Sequence, residues 1–438
     1  MTSLGLPGTA PPTDRLSRVD EMLNGHVMGP RVRAALGAPG RGGCHVLDAK
    51  YEPGVRCTVL YRVGPLLVRG DLVDDPVDDP GDGGATSRPV VDPGVRLCRY
   101  PDDPDLPGLA DAADPGRLRD ALTEALPGGG PLRRCRVELV RYRPGKRATL
   151  AVEVRGPADR AAGGRRFVVK SYHDGRKAAA VAAEAVLLDA TVDPAAPLRF
   201  APVRAHVPGL SLVVQEHVPG VPLDQLLLRP GGTPARAVRR AAVALAALHR
   251  QPVVSGRTRA VDAELARFGR RSSRVAEADG AAGRALGSLA ARLIVVADAV
   301  PRGAVGLVHG DCKPSQFLLR DESEVVLLDL DSCGAADPAV DVGTFLATLR
   351  QQAVRRALGR RATPSSSGPA LAGVFLEEYV RSAGERLDGG LRRRIIWYEA
   401  VALERKALRC FARAPRAPLT RALVDEGHVC LDRLRGTA

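Results

Sequence analysis

VHGDCKPSQFLLRDESEVVLLDLDSCGAADPAVDVG, residues 308–343, is the stretch whose reading decides the fold. It sets His309-Gly310-Asp311 in a turn between apolar runs, places Gln316 five residues beyond Asp311, and ends the run Val325-Val326-Leu327-Leu328 on Asp329. Short apolar runs bounded by Gly, Asp and Pro read as strands joined by loops. Two carboxylates and an amide are thereby presented from loops. One such acid can orient a substrate hydroxyl while the other holds a metal ion on a nucleotide's phosphates, which is what phosphoryl transfer needs from a protein.

Working outward, Phe167-Val168-Val169-Lys170 ends a strand on a lysine, and the Ala-rich helix predicted from Gly175 to Ala190 contains Glu184. A strand lysine and a helix glutamate can pair to hold a nucleotide's phosphates. Alone, Lys170 would read as a solvated charge; its place downstream of a Gly-containing hairpin favours the functional reading. Further on, the strand Leu210 to Gln215 runs into Glu216-His217-Val218-Pro219-Gly220, the expected joint between lobes. Backbone groups of Glu216, His217 and Val218 there are candidates for an adenine edge. Helical periodicity then covers Ala235 to Arg250, Ala281 to Val300 and most of 344–436, interrupted by ATPSSSGP at 362–369.

A hairpin recurs. CRVELVRYRPGKRATLAVEV (135–154) aligns without gaps on CHVLDAKYEPGVRCTVLYRV (44–63), with eight identities in twenty positions, including the turn frame Y-x-P-G-x-R. This argues for an internal repeat, against the alternative of two hairpins sharing turn chemistry. RLCRYPD (96–102) parallels VVKSYHD (168–174), which puts Cys98 in the place of Lys170. Between these strands, residues 71–94 combine acids, Pro and Gly and read as a mobile insertion. Asp114-Pro115 starts a helix through Leu126, with Asp as N-cap and Pro at the first helical position. Near the N-terminus a Gly/Pro/Thr-rich tail precedes a short helix around Arg15 to Leu23.

At 438 residues the chain exceeds what one hydrophobic core supports. With 45% hydrophobic but only 3% aromatic residues, its cores are built from Ala, Val and Leu. The net charge of +14 is spread through the sequence without a basic run interleaved with aromatics, so no nucleic-acid partner is expected. Eight cysteines without CxxC or ligand-like spacing read as reduced thiols. No signal-peptide pattern and no apolar run of about 18 residues is present, so a cytoplasmic protein away from membranes is expected.

The order of hairpin, strand Lys, helix Glu, linker, HGDxxxxQ at 309–316, Asp329 and DPAVD at 337–341 resembles the aminoglycoside phosphotransferase family, small-molecule kinases of protein-kinase-like fold. The resemblance covers most of residues 135–350. It implies that Asp311 is the catalytic carboxylate, that Asp329 chelates Mg²⁺ on the phosphates of ATP, and that Gln316 takes the second metal-ligand position, usually Asn in the family. Lys313 either neutralises the transferring phosphate or is a surface lysine. His309 is expected to brace the loop, and Asp341 resembles the family's loop-bracing aspartate at the start of a helix, where it can cap backbone N–H groups, while Asp331 defaults to an exposed carboxylate. By position, Pro144-Gly145-Lys146-Arg147 forms the flap over the phosphates: Gly145 allows close backbone approach, and Lys146 or Arg147 offers charge. No GxxxxGK[ST] pattern is present, which disfavours a P-loop kinase. Glu377, Glu378, Glu399 and Glu404 are candidates for a cationic acceptor, each more readily read on its own as a surface glutamate.

The expected fold is α+β and two-lobed, protein-kinase-like, with an antiparallel-sheet N-lobe containing the duplicated hairpin unit and a mainly helical C-lobe. Expected divisions are an N-terminal segment 1–40, a Lys-less first unit 41–130 extending the N-lobe, a nucleotide-binding N-lobe 131–218 and a catalytic C-lobe 219–438. The expected activity is ATP-dependent phosphorylation of a small-molecule hydroxyl, with a kinase-like binding module of little or no activity as the alternative. A protein-substrate kinase is disfavoured because nothing between Asp329 and Asp341 resembles an activation segment.

Overall fold

Tyr51 to Arg56 closes a hairpin because Pro53 starts the turn and Gly54 takes φ +68°, a left-handed conformation that glycine adopts without strain. The computed structural model of the protein describes residues 12–38, 42–73, 89–127, 130–156, 164–229, 234–253, 256–258, 260–320, 324–359, 368–384 and 389–435. The Gly/Pro-rich tail, the centre of the acidic insertion at 74–88 and most of ATPSSSGP lie outside these. After helices α1 (Pro12–Met22) and α2 (Gly25–Leu36) come strands β1 (Cys44–Glu52), β2 (Arg56–Val63), β3 (Leu66–Leu72), β4 (Val90–Val91) and β5 (Val95–Arg99). They form an antiparallel sheet in the order β1-β2-β3-β5-β4. Alternation along β2 puts Cys57, Val59, Tyr61 and Val63 on one buried face, which α2 covers with Met28 and Val32; the Tyr61 hydroxyl donates to the Met22 carbonyl at 2.9 Å.

Helices α3 (Leu109–Ala113) and α4 (Pro115–Ala125) follow, the latter capped by the Asp114 carboxylate, which accepts from the Arg117 N–H at 2.8 Å. The second hairpin pairs β6 (Arg134–Arg143) with β7 (Arg147–Arg155); its turn glycine, Gly145, has φ +65°. Next are β8 (Arg165–Tyr172), α5 (Gly175–Thr191), β9 (Leu198–Phe200), which leaves for the helical lobe, β10 (Val203–Val207) and β11 (Leu212–Glu216). This sheet runs β10-β11-β8-β7-β6, with its core from Leu150, Val152, Phe167, Val169 and Val214 against Leu118 and Leu122 of α4.

Register corrects one expectation. Thr149 faces Lys170 across β7 and β8, and its counterpart Thr58 faces Asp71 across β2 and β3. Asp71, and not Cys98, therefore stands where Lys170 stands in the second unit. The third strand was hidden because β3 ends in Gly70-Asp71-Leu72, which sequence alone joins to the acidic insertion.

The helical lobe comprises β12 (Val221–Pro222), α6 (Leu223–Leu226), α7 (Pro234–His249), α8 (Val261–Ala278), α9 (Gly280–Ala297), β13 (Gly306–Val308), β14 (Phe317–Leu319), β15 (Val325–Leu327), β16 (Gly334–Ala336), α10 (Ala339–Leu358), α11 (Gly368–Ala383), α12 (Gly389–Arg413) and α13 (Leu419–Arg435). Its short strands pair as β12-β14-β15-β9 and β13-β16, framing the 309–341 loops. Alanines of α7 allow close approach to a core in which Phe345 stacks on Phe375 at 3.9 Å and meets Phe317 edge-on at 5.7 Å. By length and composition α9 suffices to cross a membrane, but it buries Leu286, Leu289 and Leu293 among other helices and carries Arg284 and Arg292.

The first sheet does not extend the N-lobe sheet. Its buried face shares one apolar cluster with α8, α9, α12 and α13, and Tyr51 packs on Phe411 with ring centroids 6.1 Å apart. Burial decides this: the face made by β2 finds apolar partners on the C-terminal helices, whereas the outer strand β6 leaves half of its side chains exposed.

Candidate active site

His309 and Gly310 follow β13 in a loop that Asp341 holds. The fully buried Asp341 carboxylate accepts from the His309 N–H at 2.6 Å, the Gly310 N–H at 2.8 Å and His249 Nε2 at 3.2 Å. Since a carboxylate only accepts, His249 Nε2 carries a proton, and its Nδ1 is hydrogen-bonded with the Tyr379 hydroxyl at 2.9 Å. Asp341 thus braces the loop through its amides, the role the resemblance implies. Burial pushes its pKa up, and the hydrogen bond and charge of His249, with His309 and the Gly310 amide, carry it below the usual value. His309 Nε2 donates to the Leu328 carbonyl at 2.8 Å, tying the loop to the strand that delivers Asp329, and its Nδ1 accepts the Asp311 N–H at 3.2 Å.

Asp311 lies in this loop with Lys313 ion-paired to it. Burial raises its pKa, but Lys313, Arg409 and His309 outweigh that and hold the carboxyl below the ordinary range. It is an anion that orients better than it abstracts.

Asp329, just past β15, adopts φ +61° and ψ +58°, a left-handed conformation that Asp tolerates better than bulky residues do. Lys170 Nζ donates to its Oδ1 at 3.0 Å, Arg147 reaches both oxygens at 2.9 and 3.2 Å, and Gln316 Nε2 lies 3.4 Å from Oδ2. Burial would raise the Asp329 pKa; Lys170 and Arg147 drive it far below the carboxylate range. Lys170, Arg147, Gln316 and Asp329 therefore meet in one cluster.

Asp331 joins the same cluster, correcting its reading as an exposed carboxylate. Its oxygens accept from Lys170 at 3.1 Å and from the Tyr172 hydroxyl at 3.0 Å, and it also pairs with Arg147. Two cations face two carboxylates. The missed signals were spacings of two: Asp331 follows Asp329 by two, and Tyr172 follows Lys170 by two on one strand face.

The expected Lys170–Glu184 pair is not formed. Glu184 on α5 accepts from Arg257, whose NH1 also donates to the Asp331 carbonyl at 2.7 Å. Arg257 lies in a short connection without a motif, so sequence reasoning had no handle on it. At the lobe joint, the Glu216 N–H donates to the Pro202 carbonyl at 2.8 Å and the His217 N–H to Arg166 at 3.0 Å; the Glu216 side chain pairs with Arg204. These two amides are thus engaged within the protein.

The hairpin turn is pinned from outside. Asp103, its side chain fully buried, accepts from the Gly145 N–H at 2.8 Å and the Tyr142 hydroxyl at 2.7 Å, and it pairs with Arg69 of β3 at 2.6 Å. The first unit thereby grips the flap. Lys146 points its charge toward Lys50, whereas Arg147 turns into the Asp329 cluster.

Of the four acceptor candidates, Glu377 is exposed, Glu378 pairs with Arg381, Glu399 accepts from Arg350 at 2.8 Å, and Glu404 is wholly buried. Reading the last three as surface glutamates fails because α11 and α12 pack these faces inward.

The two lobes, the HGD loop and the lysine facing Asp329 define a kinase-like phosphotransferase. A family model described as "APH: Phosphotransferase enzyme family" matches residues 154–374, half of the chain, and the chain belongs to that family. The match begins after the first sheet, so β1 to β5 lie outside it. No curated protein matches by sequence. Among solved structures, the apoenzyme of macrolide 2'-phosphotransferase MphH from Brachybacterium faecium is 19% identical, covering 72% of this chain and 97% of its own with a TM-score of 0.45. A choline/ethanolamine kinase family protein from Mesorhizobium loti is 18% identical, covering 73% and 94% with a TM-score of 0.47. A thermostable aminoglycoside phosphotransferase APH(4)-Ia, in a ternary complex with AMP-PNP and hygromycin B, is 14% identical, covering 73% and 97% with a TM-score of 0.45.

Proposed function

We propose that the protein moves the γ-phosphate of ATP to a hydroxyl of a small molecule. The observation that carries this reading is the meeting of Lys170 with Asp329 at 3.0 Å across 159 residues of sequence, beside Gln316 and below the flap. Lys170 and Arg147 hold the phosphates, exchanging their carboxylate partners for phosphoryl oxygens. The Glu216 carbonyl and the Val218 N–H take the adenine edge, since the Glu216 and His217 amides are engaged. Gly145 and Lys146 cover the phosphates from the flap.

Asp329 and Gln316 would hold magnesium: their donors are oxygens, and no cluster of three His, Cys, Asp or Glu competes among the described residues, as suits an ion bound by one or two side chains plus substrate phosphates. When bound, the ion neutralises phosphate charge. Asp311 orients the acceptor hydroxyl and receives its proton as the new O–P bond forms and the β–γ bridging bond breaks, releasing ADP. Lys313 steadies the charge on Asp311 and on the transferring group. Glu184 positions Arg257 beneath Asp331.

Residues 131–218 act as the nucleotide lobe, 219–438 as the catalytic lobe, and 41–130 as an added unit. Eight free cysteines support a reducing, cytoplasmic setting.

The test is γ-phosphate transfer from Mg-ATP by purified protein. Asp311→Asn is expected to lower turnover by about a hundredfold to ten-thousandfold while nucleotide still binds. Wild-type protein that binds no nucleotide at millimolar ATP refutes the reading. One observation favours a second reading, nucleotide binding without turnover: Arg147 already spans both oxygens of Asp329. Binding without transfer, unchanged by Arg147→Ala, decides for it.

A further inference from the structure

We infer that the hydroxyl acceptor is itself an anion, a small alcohol already carrying phosphoryl groups, because one cleft beside Asp311 gathers basic side chains from six separate parts of the chain. This rests on the phosphotransferase reading above and names the substrate class of that same site.

The cleft encloses about 950 Å³, a volume for one small molecule. Gly310, Asp311 and Lys313 form part of its wall and the flap residues Gly145 and Lys146 another, whereas Lys170, Asp329 and the 216–218 segment do not line it, so it runs from beneath the flap past the reacting carboxylate and away from the adenine end. The lining carries sixteen Lys and Arg side chains against four Asp and Glu. That surplus of twelve compares with +14 for the whole chain.

The convergence follows from helix geometry. Arg267, Arg270, Arg271 and Arg274 share one face of α8 through spacings of three and four. Arg405, Arg409 and Arg413 repeat every four residues on α12, next to Lys406, and Arg355 of α10 faces them. Lys50 and Arg56 come from the first sheet, and Arg143 and Lys146 from the second hairpin.

Some of these charges are matched: Arg405 binds Glu264 at 2.6 Å and Arg413 binds Asp48 at 3.1 Å. Others are not. Lys50, Arg143, Lys146, Arg270, Arg274 and Arg355 have no carboxylate at ion-pair distance among the described residues. Crowding shows in the lysines. Burial first and then Lys146 and Arg56 push Lys50 down to about 7, and burial followed by Arg409 does the same to Lys406. Holding cations this close costs free energy that an anionic occupant offsets.

A cationic acceptor would meet the opposite environment, since Glu378, Glu399 and Glu404 all lie outside the lining. Guanidinium forks suit phosphate and carboxylate alike, so the experiment separates them.

Full-length protein with Mg-ATP is offered glucose 6-phosphate and glycerol 2-phosphate, their uncharged parents, gluconate and kanamycin, and ADP release is followed. The phosphate-bearing alcohols are expected to show a KM at least about tenfold below that of their parents, the effect of one charge-assisted contact. In parallel, protein saturated with Mg-AMP-PNP is titrated with inorganic pyrophosphate. Arg270→Glu is expected to weaken that binding about tenfold or more, and Arg270→Gln, the variant less prone to misfold, by a smaller factor.

Preferred turnover of kanamycin, gluconate or an uncharged alcohol overturns the inference. So does pyrophosphate binding that neither variant weakens, or capture of a single-stranded RNA without response to the alcohol phosphates. Absence of AMP-PNP binding instead sinks the phosphotransferase reading, which keeps the two failures apart.

Discussion

Asp341→Asn tests the bracing of the HGD loop. The substitution keeps size and shape but replaces one acceptor oxygen by a donor NH₂, and three donors converge on that carboxylate, from the His309 N–H, the Gly310 N–H and His249 Nε2. In the cheaper orientation the amide keeps its oxygen toward His309 and His249 and turns its NH₂ on the Gly310 N–H. One buried donor then loses its partner, for about 1–3 kcal/mol, and the remaining two bonds lose their charge assistance, giving about 2–4 kcal/mol in all.

Such a loss leaves a folded protein, because domains commonly hold about 5–15 kcal/mol. Urea unfolding should therefore show an earlier midpoint, by about 1 M for a slope near 3 kcal/mol per M. The pH dependence has a definite sign. Because the folded pKa of Asp341 is depressed, its contribution is complete above the ordinary Asp value of about 4 and is lost as pH falls through the lower folded value. The gap between wild type and variant should hold from pH 7 to 5 and narrow in more acid solution. A gap under about 0.5 kcal/mol at pH 7, or one that does not narrow in acid, refutes the bracing role.

Gly145→Ala should destabilise the protein by about 1–2 kcal/mol and raise the KM for ATP, since the left-handed turn penalises a Cβ and that Cβ would sit 2.8 Å from Asp105 Oδ2. Denaturant titration with steady-state kinetics reads both effects, and an unchanged KM would detach the flap from nucleotide binding. Anion affinity should fall as pH rises from 6 to 8.5, because Lys50 and Lys406 lose their protons near 7. Arg405, Arg409 and Lys313 face Lys406 along with Asp311, and Lys146, Arg56 and Glu52 face Lys50. Sulfate, whose charge is constant over that range, is the probe, and calorimetric titration that shows no pH trend would rule this out.

Local chemistry was legible in the sequence; partnership across long separations was not. The HGD turn, Gln316 and Asp329 sit within one short stretch, so their spacing speaks directly. Asp114 as an N-cap and the Pro-Gly hairpin turns were equally readable, because their causes lie within four residues. Glu184 shows the limit: a helix glutamate after a strand lysine suggests a pair, yet Arg257 takes it from a connection 73 residues away. Asp103 joins β3 to the second hairpin through Arg69, Tyr142 and the Gly145 N–H, and no pattern around Tyr100-Pro101-Asp102-Asp103 announced it. Charge was misread for the same reason. Arginines dispersed along the sequence looked like a solvated surface, and only the packing of α8, α10 and α12 around the first sheet turns them toward one cleft.

The apolar cluster that joins Val19, Tyr61 and Leu97 to Trp397, Phe411 and Leu434 sets the order of assembly. The first sheet finds its permanent neighbours on α12 and α13, most of the described sequence away, so its Tyr61 face stays uncovered until those helices are in place. Contacts over such separations form slowly and leave apolar surface open to association meanwhile. Loss of α13 should therefore be felt first in the N-terminal sheet, far away in sequence and next door in space.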